Sequence, residues 1–364
     1  MDNLLYKIAI TRIPLVGAVT AKTLISYCGS VDAVFAAKKR ELLKIPGIGE
    51  RIAASVLQRD FLSEAESELH FIEKNNINPI FYLDEDYPER LRHYHDSPIM
   101  LYCKGNLDLN AHRTVGIVGT RQPSPQGVAF CEEIVEGLKP YDVLLISGLA
   151  YGIDIAAHRK CVELNMPTIG ILGHGLDTIY PASHRNIAEK MMQNGGLITE
   201  YPSDTKPDKE NFPMRNRIIA GLCDALIVVE TGIKGGSMIT AHMANEYNKD
   251  VFAVPGRVKD KLSQGCNHLI KTHKSLLLES ADDIAYILRW EELDARKEIQ
   301  QQLFVELSDA EKIIVNLLEQ TSEASIDKLM IETSASGSEM ASLLLNLEFK
   351  GVIKSLPGKR YALL

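Results

Sequence analysis

Short, continuously apolar segments alternate with amphipathic helical segments over residues 113–290. Apolar runs of this length are typical of strands that are covered on both faces, as in a parallel sheet. Because helical segments such as Gln126–Leu138 and Ile155–Leu164 separate these runs, the pattern predicts repeated βα units in a doubly wound α/β sheet. The strand candidates are Val115–Val118, Val143–Ile146, Thr168–Leu172, Leu197–Thr199, Ala225–Val229, Val251–Val254 and Leu276–Leu278.

Residues 1–65 show a different pattern, in which short helices are separated by glycine-containing turns. Two turns share the form Ile-Pro-x-apolar-Gly, at Ile13–Gly17 and at Ile45–Gly49. Glycine permits a turn with positive φ, and the amides of the following helix can hold a phosphate. The pattern predicts a small helical domain of the helix-hairpin-helix type. Its turns either contact a phosphate backbone or join helices without binding anything.

The remaining domain boundaries follow from the segments on either side of the alternating strands and helices. Two further strand candidates, Ile80–Leu83 and Ile99–Tyr102, precede it, so the central domain is predicted to span residues 66–290. Residues 291–306 are charged and glutamine-rich, and they predict a linker or an exposed helix.

Residues 307–364 carry the pattern of a winged-helix domain. Ser308 and Glu311 have the spacing of a capping box at the start of a helix. Two further helices are predicted near residues 326–330 and 338–349. Strand candidates 351–354 and 359–363 then flank a turn at residues 357–358. Glu339 and Glu348 lie on the candidate recognition helix, where their charge would repel phosphates.

Composition restricts the possible partners. The chain has 364 residues and a formal net charge of −8, so any affinity for nucleic acid must come from a local basic surface. No apolar run reaches the roughly 18 residues that span a bilayer, and no signal peptide is recognisable, so we expect a cytoplasmic protein without a membrane partner. The six cysteines follow no metal-ligand spacing, and we expect no metal or cofactor.

The residues that could carry chemistry follow the ends of the predicted parallel strands, where ligands bind in open α/β sheets. Gly-rich turns before helices provide amides for an anion, and arginine provides a planar charged fork for phosphate. These loops contain Gly119, Thr120, Arg121 and Ser124; Ser147, Gly148 and Gly152; Arg185; Phe212, Arg215, Asn216 and Arg217; and Gly235, Gly236, Ser237 and Thr240. Several anion sites along one edge fit a polynucleotide backbone better than one small molecule.

Three residues in these loops have competing interpretations. Asp154 is expected to cap the helix that follows it. His158 is either a catalytic group or, as we favour, the partner of a structural hydrogen bond. Phe212 is either a stacking platform for a base or a residue that seals the core. Neither the dinucleotide motif Gly-x-Gly-x-x-Gly nor the Walker A motif is present.

Together these motifs resemble the DprA/Smf (DNA-processing protein A) family over nearly the whole chain. The segment Phe212–Ile219 is similar to the family's most specific signature, and Val115–Arg121 and Ser147–Asp154 are similar to two others. Val254–Gly256 and Gly265–Ile270 resemble further blocks. The chain departs from the pattern at His273-Lys274, where many members have Gly-Ala.

The resemblance implies an extended Rossmann fold that binds single-stranded DNA, with Arg121, Arg215 and Arg217 lining a basic pocket. It also implies a homodimer that protects incoming DNA and loads a RecA-type recombinase in natural transformation, without established catalysis. One alternative is a nucleotide-processing enzyme of the lysine-decarboxylase-like Rossmann group, although the helix after Gly235–Ser237 offers no obvious catalytic glutamate. Another is a scaffold whose C-terminal domain binds a protein.

Overall fold

The computed structural model describes residues 2–58, 61–290, 307–321, 323–333, 335–350, 352–356 and 360–363. The chain forms two compact units, Met1–Leu288 and Arg289–Leu364. The predicted linker 291–306 and the predicted turn at residues 357–358 lie outside the described residues.

A nine-stranded sheet forms the centre of the first unit. Its strands are β1 (Asn78–Phe81), β2 (Met100–Asn106), β3 (Thr114–Gly119), β4 (Leu144–Ser147), β5 (Thr168–Ile171), β6 (Gly195–Thr199), β7 (Ala225–Val229), β8 (Asp250–Ala253) and β9 (Leu276–Leu277). Their order is β1-β2-β6-β5-β4-β3-β7-β8-β9, and every pairing from β6 to β9 is parallel. The predicted Rossmann-like α/β sheet is therefore confirmed, with β1 and β2 as an antiparallel extension.

Helices precede the sheet and cover its faces. They are α1 (Asp2–Arg12), α2 (Ala18–Cys28), α3 (Val31–Ala36), α4 (Lys39–Leu42), α5 (Glu50–Leu57), α6 (Phe61–Lys74), α7 (Glu89–Arg92), α8 (Pro125–Leu138), α9 (Ile153–Leu164), α10 (Arg185–Met191), α11 (Asn211–Leu222), α12 (Gly236–Glu246), α13 (Gln264–Lys271) and α14 (Ala281–Ile287). No helix within the described ranges is both long enough and apolar enough to cross a membrane.

The N-terminal helices share a hydrophobic core with the sheet. Ile8, Leu24 and Phe61 belong to the same buried cluster as Leu172 and Leu197 from the sheet region. The boundary predicted at residues 65/66 consequently falls inside α6, and α1–α6 belong to the same compact unit as the sheet. The sequence pattern marks the change in element type, whereas the packing continues across it.

Both N-terminal turns contain a residue with a positive φ, but the residue type differs between them. In the second turn Gly47 has φ +81°, which suits glycine. At the equivalent position of the first turn Leu15 has φ 66°, in the same left-handed region. The predicted hairpins are therefore present, and Gly17 and Gly49 cap α2 and α5.

The second unit has the predicted winged-helix fold. Its elements are α15 (Asp309–Thr321), β10 (Glu323–Ser325), α16 (Ile326–Thr333), α17 (Gly337–Phe349), β11 (Ile353–Leu356) and β12 (Arg360–Leu363). The sheet order is β10-β12-β11. The Ser308–Glu311 capping box is present: Ser308 N donates to Glu311 Oε2 at 2.7 Å, and Glu311 N donates to Ser308 Oγ at 3.3 Å. The three-residue strand β10 was not predicted, because a run this short has no alternating pattern.

Candidate nucleic-acid interface

A cleft lies at the carboxyl edge of the parallel strands. It is formed by the loops after β3, β4 and β5 together with the start of α11, and we call it the carboxyl-edge cleft. Its basic and aromatic lining consists of Arg121, Tyr151, His174, Tyr180, Phe212 and Arg215. The sequence-predicted residues Arg121, Phe212 and Arg215 are thus brought together, although 94 residues of chain separate Arg121 from Arg215.

Arg121, Phe212 and Tyr180 form a continuous cationic and aromatic surface. The Arg121 guanidinium carbon lies 5.5 Å from the centroid of the Phe212 ring. The Tyr180 ring stacks beside Phe212 with centroids 6.1 Å apart and an interplanar angle of 29°. Since Arg121 and Tyr180 are exposed, a base could stack on the rings while the guanidinium holds a phosphate.

Arg215 forms the charged floor of this cleft. Its guanidinium is buried and donates to the carbonyl oxygen of Ile171, at the end of β5. Burial lowers the pKa of Arg215 and raises the pKa of the neighbouring Asp154 to about 6, although the two opposite charges resist both shifts. A Cβ at position 148 would collide with both groups, so Gly148 allows this pair to pack against the backbone.

Asp154 is not the helix cap that its sequence position predicted. The N-cap of α9 is Gly152, which has φ +82°. Glycine is required at this position, because a Cβ there would collide with the carbonyl oxygen of Thr120. Asp154 lies in the first helical turn, and its Oδ2 accepts a hydrogen bond from Ala150 N at 3.3 Å. The carboxylate therefore shapes the loop after β4 from inside the helix.

His158 has the structural role that the sequence favoured. The ring is fully buried, and its Nε2 and Nδ1 lie 2.6 Å from Gly148 O and 2.7 Å from Thr168 Oγ1. Burial lowers the pKa of His158 to about 4. A neutral imidazole can donate through Nε2 to the carbonyl and accept from the Thr168 hydroxyl, which fixes the loop after β4.

Arg217 does not line the carboxyl-edge cleft, and this corrects the sequence interpretation. Its two terminal nitrogens donate to the Glu200 carboxylate at 2.7 and 2.6 Å, and the pair is largely buried. Successive helical residues turn by about 100°, so positions two apart lie on different faces of α11. Asn216 lies between them and accepts a hydrogen bond from Arg215 Nε at 3.3 Å.

Arg185 also lies outside the carboxyl-edge cleft. It lines a separate recess together with Phe71, Lys104 and Asp177. The loop of residues 173–181 runs between the two concavities, since His174 and Tyr180 face the cleft and Asp177 faces the recess.

The hydroxyls of two predicted phosphate contacts are occupied within the protein. Ser124 Oγ accepts from Gly127 N at 3.0 Å as the cap of α8, and it donates to the Glu230 carboxylate. Ser147 is fully buried, and its hydroxyl donates to Ile117 O in the neighbouring strand. Both predictions took a hydroxyl near a strand end as free, whereas the fold uses each one to join two elements.

Gly119 and Thr120 shape the loop after β3. A Cβ on Gly119 would collide with the carbonyl oxygen of Val229 in β7, so glycine is required where these strands meet. Thr120 N donates to Glu230 O at 2.8 Å, and Thr120 Oγ1 accepts from Gln122 N at 3.2 Å. These contacts hold the segment that places Arg121.

The loop after β7 leads into an amide-rich helix start. Gly235 is the N-cap of α12, and no side chain caps this helix. A Cβ on Gly235 would collide with Thr231 Oγ1, while Gly236 faces open space. Ser237 is 7% exposed, and its Oγ has no hydrogen-bond partner among the described residues. Thr240 is buried one turn later. The start of α12 therefore has the donors of an anion site.

The structure adds residues that the sequence interpretation missed. Tyr151 and Tyr180 line the cleft, and each is 50% exposed. Lys234, Arg257, Lys259 and Lys261 lie in the loops after β7 and β8, and all four are exposed. The rule that ligands bind at the carboxyl ends of strands could have found the last three, since they follow β8 directly.

Three segments of the chain match known protein families. Residues 78–289 match the family DNA recombination-mediator protein A. Residues 9–68 match the helix-hairpin-helix motif, and residues 301–359 match the DprA winged helix domain.

Individual relatives agree with this result. Protein Smf of Synechocystis is 32% identical, with 98% of each chain covered. The DNA processing protein DprA of Streptococcus pneumoniae is 41% identical over 56% of this chain and 72% of its own length. Its solved structure has a TM-score of 0.64 at 32% identity and covers 79% of this chain and 97% of its own.

A second solved structure concerns the single-stranded DNA binding mode of DNA processing protein A from Helicobacter pylori. It has a TM-score of 0.54 at 29% identity, with coverage of 59% of this chain and 96% of its own. The chain therefore belongs to the DNA recombination-mediator protein A family, whose members include the DprA and Smf proteins.

Proposed function

We propose that this protein binds single-stranded DNA in the carboxyl-edge cleft. The observation that carries the proposal is the placement of Arg121 over the Phe212 ring, 5.5 Å from its centroid, beside the buried charge of Arg215. A cation next to an open aromatic surface binds the two parts of an unpaired nucleotide, its phosphate and its base. Duplex DNA keeps its bases stacked and would leave the ring faces unused.

The rest of the edge supplies further phosphate contacts in this proposal. Gly236 faces open space at the start of α12, next to the N-cap Gly235, and the buried Ser237 hydroxyl there has no hydrogen-bond partner among the described residues. Because the fold occupies the hydroxyls of Ser124 and Ser147, we assign their segments backbone contacts only. Gly148 belongs to the same group of backbone contacts, whereas the Thr120 amide already donates to Glu230 O and Thr120 is left with a role in shaping its loop.

The biological role in the proposal follows from the family. We infer a cytoplasmic homodimer that protects incoming single-stranded DNA and loads a RecA-type recombinase during natural transformation. Membership of the recombination-mediator family supports this role, as do the DNA-processing relatives. Size-exclusion chromatography with light scattering tests the dimer. Recombinase filament assembly on DNA coated with single-strand-binding protein tests the loading, and a rate unchanged by this protein would contradict it.

Binding rather than catalysis explains the polar groups near the cleft. Burial lowers the pKa of His158 to about 4, which makes it a poor general base at neutral pH, and two hydrogen bonds fix its ring. The Glu230 carboxylate, at the loop after β7, accepts both the amide and the hydroxyl of Ser124. Each of these groups has a defined task in positioning the loops.

Fluorescence anisotropy with matched single-stranded and duplex oligonucleotides over a salt series tests the proposal. We expect a preference for the single strand, with the logarithm of affinity falling by about 0.7 per neutralised phosphate for each logarithmic unit of salt. Arg121→Ala should weaken binding to all sequences alike. Arg159→Ala is the matched control, because Arg159 is an exposed arginine of α9 outside the cleft lining. Equal loss in both variants, or an affinity independent of salt, would refute the proposal.

A further inference from the structure

The segment that follows β8 carries a concentrated positive charge. Within residues 254–263, Arg257, Lys259 and Lys261 are all exposed. Asp260 is the acidic residue among them, and its Oδ1 accepts a hydrogen bond from Leu262 N at 3.0 Å. Since β8 is parallel to β7 and adjacent to it, this segment lies at the same sheet edge as the carboxyl-edge cleft.

Hydrogen bonds from α13 fix the start of this segment at Gly256. Asn267 Nδ2 donates to Gly256 O at 2.9 Å, and Gly256 N donates to Asn267 Oδ1 at 3.1 Å. A Cβ on Gly256 would collide with Ser263 Oγ, so glycine is required there. Asp260 N donates to Arg257 O at 3.0 Å, which closes a turn. We call residues 254–263 the clamped loop.

The clamped loop lies beside the loop that leads from β7 to α12. Gly265 N donates to Thr231 O at 2.8 Å, so α13 begins against the loop after β7. A Cβ built on Gly232 would lie 3.7 Å from the carbonyl oxygen of Lys261. The same loop contains the exposed Lys234, and it ends at Ser237 in the first turn of α12, whose buried hydroxyl has no hydrogen-bond partner within the described part of the chain. Cations and helix-start amides therefore line adjacent strand ends.

We propose that the clamped loop is a second phosphate-binding arm, which holds the part of a single strand that extends beyond the carboxyl-edge cleft. Its ligand is the phosphodiester backbone, because the loop offers cations without an exposed aromatic ring. Asn267 is a positioning residue, which keeps the cations in place before DNA arrives. This inference rests on the proposed single-strand binding, and it assigns a task to the Val254–Gly256 and Gly265–Ile270 motifs.

Oligonucleotide length separates the two sites. The triple variant Arg257→Gln, Lys259→Gln, Lys261→Gln should bind a strand of about four nucleotides as the wild type does, because that length fits the cleft alone. For a strand of about twenty nucleotides, its affinity should fall about tenfold or more at low salt. The slope of the logarithm of affinity against the logarithm of salt concentration should become less steep by about 2, because three phosphate contacts are lost.

The control variant removes the same charge from other places. Lys139→Gln, Lys190→Gln, Lys271→Gln changes three lysines at the ends of α8, α10 and α13. We expect this variant to bind both lengths with nearly wild-type affinity. An equal loss of long-strand affinity in the two triple variants would show a general charge effect and overturn the proposal.

Asn267→Ala provides a second test that keeps every charge. We expect a weaker, length-dependent loss of affinity of about threefold, with the salt slope largely retained, because ordering the loop then opposes binding. Unchanged long-strand affinity in both Asn267→Ala and the loop triple variant overturns the inference. Arg121→Ala distinguishes the two proposals, since it should weaken short and long strands alike. If Arg121→Ala leaves both lengths unaffected, the proposed function itself fails.

Discussion

Arg215 and Arg217, two residues apart on α11, serve different sides of that helix. Arg215 donates to the carbonyl oxygen of Ile171 in the carboxyl-edge cleft, whereas Arg217 is paired with the Glu200 carboxylate. Both guanidinium groups are buried. The Phe-Pro-Met-Arg-Asn-Arg signature therefore combines a residue that lines the cleft with a residue that fixes α11 to Glu200, directly after β6.

Arg217→Ala should lower stability and leave DNA binding nearly unchanged. Removing Arg217 leaves the Glu200 carboxylate, whose side chain is 16% exposed, without its ion-pair partner. We expect this to lower the free energy of unfolding by about 3 kcal/mol. Urea unfolding measures this loss, and anisotropy measures the affinity of the folded variant. The double variant Arg217→Ala, Glu200→Ala should recover part of the stability. A large loss of affinity without a loss of stability would instead place Arg217 in the interface.

Phe212→Ala should weaken binding without changing its salt dependence. A base loses its stacking surface, which is worth about 1–3 kcal/mol, while each cation remains. Phe212→Trp keeps an aromatic face and should retain most of the affinity. A salt slope that changes along with affinity would indicate that Phe212 acts by holding Arg121 in place, because the ring supports that guanidinium.

Glu68→Ala should release the N-terminal helices from the sheet. Glu68 is 2% exposed and accepts hydrogen bonds from Arg12 at 2.8 Å and from Ser203 N at 3.0 Å. Breaking a buried pair costs about 3–5 kcal/mol. Hydrogen exchange should accelerate in α1 and α6 more than in β3 and β7. Glu64→Ala is the control, because Glu64 is an exposed second partner of Arg12 at 3.7 Å and should have little effect.

Much of the fold could be predicted because its strands are buried on both faces. Apolar runs such as Ala225–Val229 are then unambiguous, and the carboxyl-edge rule leads directly to Arg121 and Phe212. The direction in which a helical side chain points depends on where the helix begins and on what it packs against. The sequence therefore could not show that Arg215 faces the cleft while Arg217 does not.

Partners distant in sequence account for the other errors. The hydroxyl of Ser124 is engaged by Glu230, which is 106 residues away, and Ser203 binds Glu68 across 135 residues. No local pattern encodes such pairs. The sequence of residues 1–65 indicates a helical segment, but it does not show that these helices pack against the sheet.

The affinity for single-stranded DNA should increase as pH falls through about 6. Burial raises the pKa of Asp154 to about 6, so the folded protein begins to protonate this carboxyl above its ordinary range. A bound phosphate next to Arg215 favours the neutral acid further, because it removes repulsion between two negative charges. Binding is then coupled to proton uptake, and affinity rises as pH falls and levels off once Asp154 is protonated.

Titration of affinity between about pH 5 and pH 8 at constant ionic strength measures this coupling. His158, with a pKa of about 4, and His174, whose pKa is lowered by burial, change little in the upper part of this range. Asp154→Asn keeps an oxygen that can accept from Ala150 N but cannot titrate. This variant should bind with the higher affinity at every pH and show a flatter profile. If the profiles of the variant and the wild type are parallel, a group other than Asp154 carries the pH dependence.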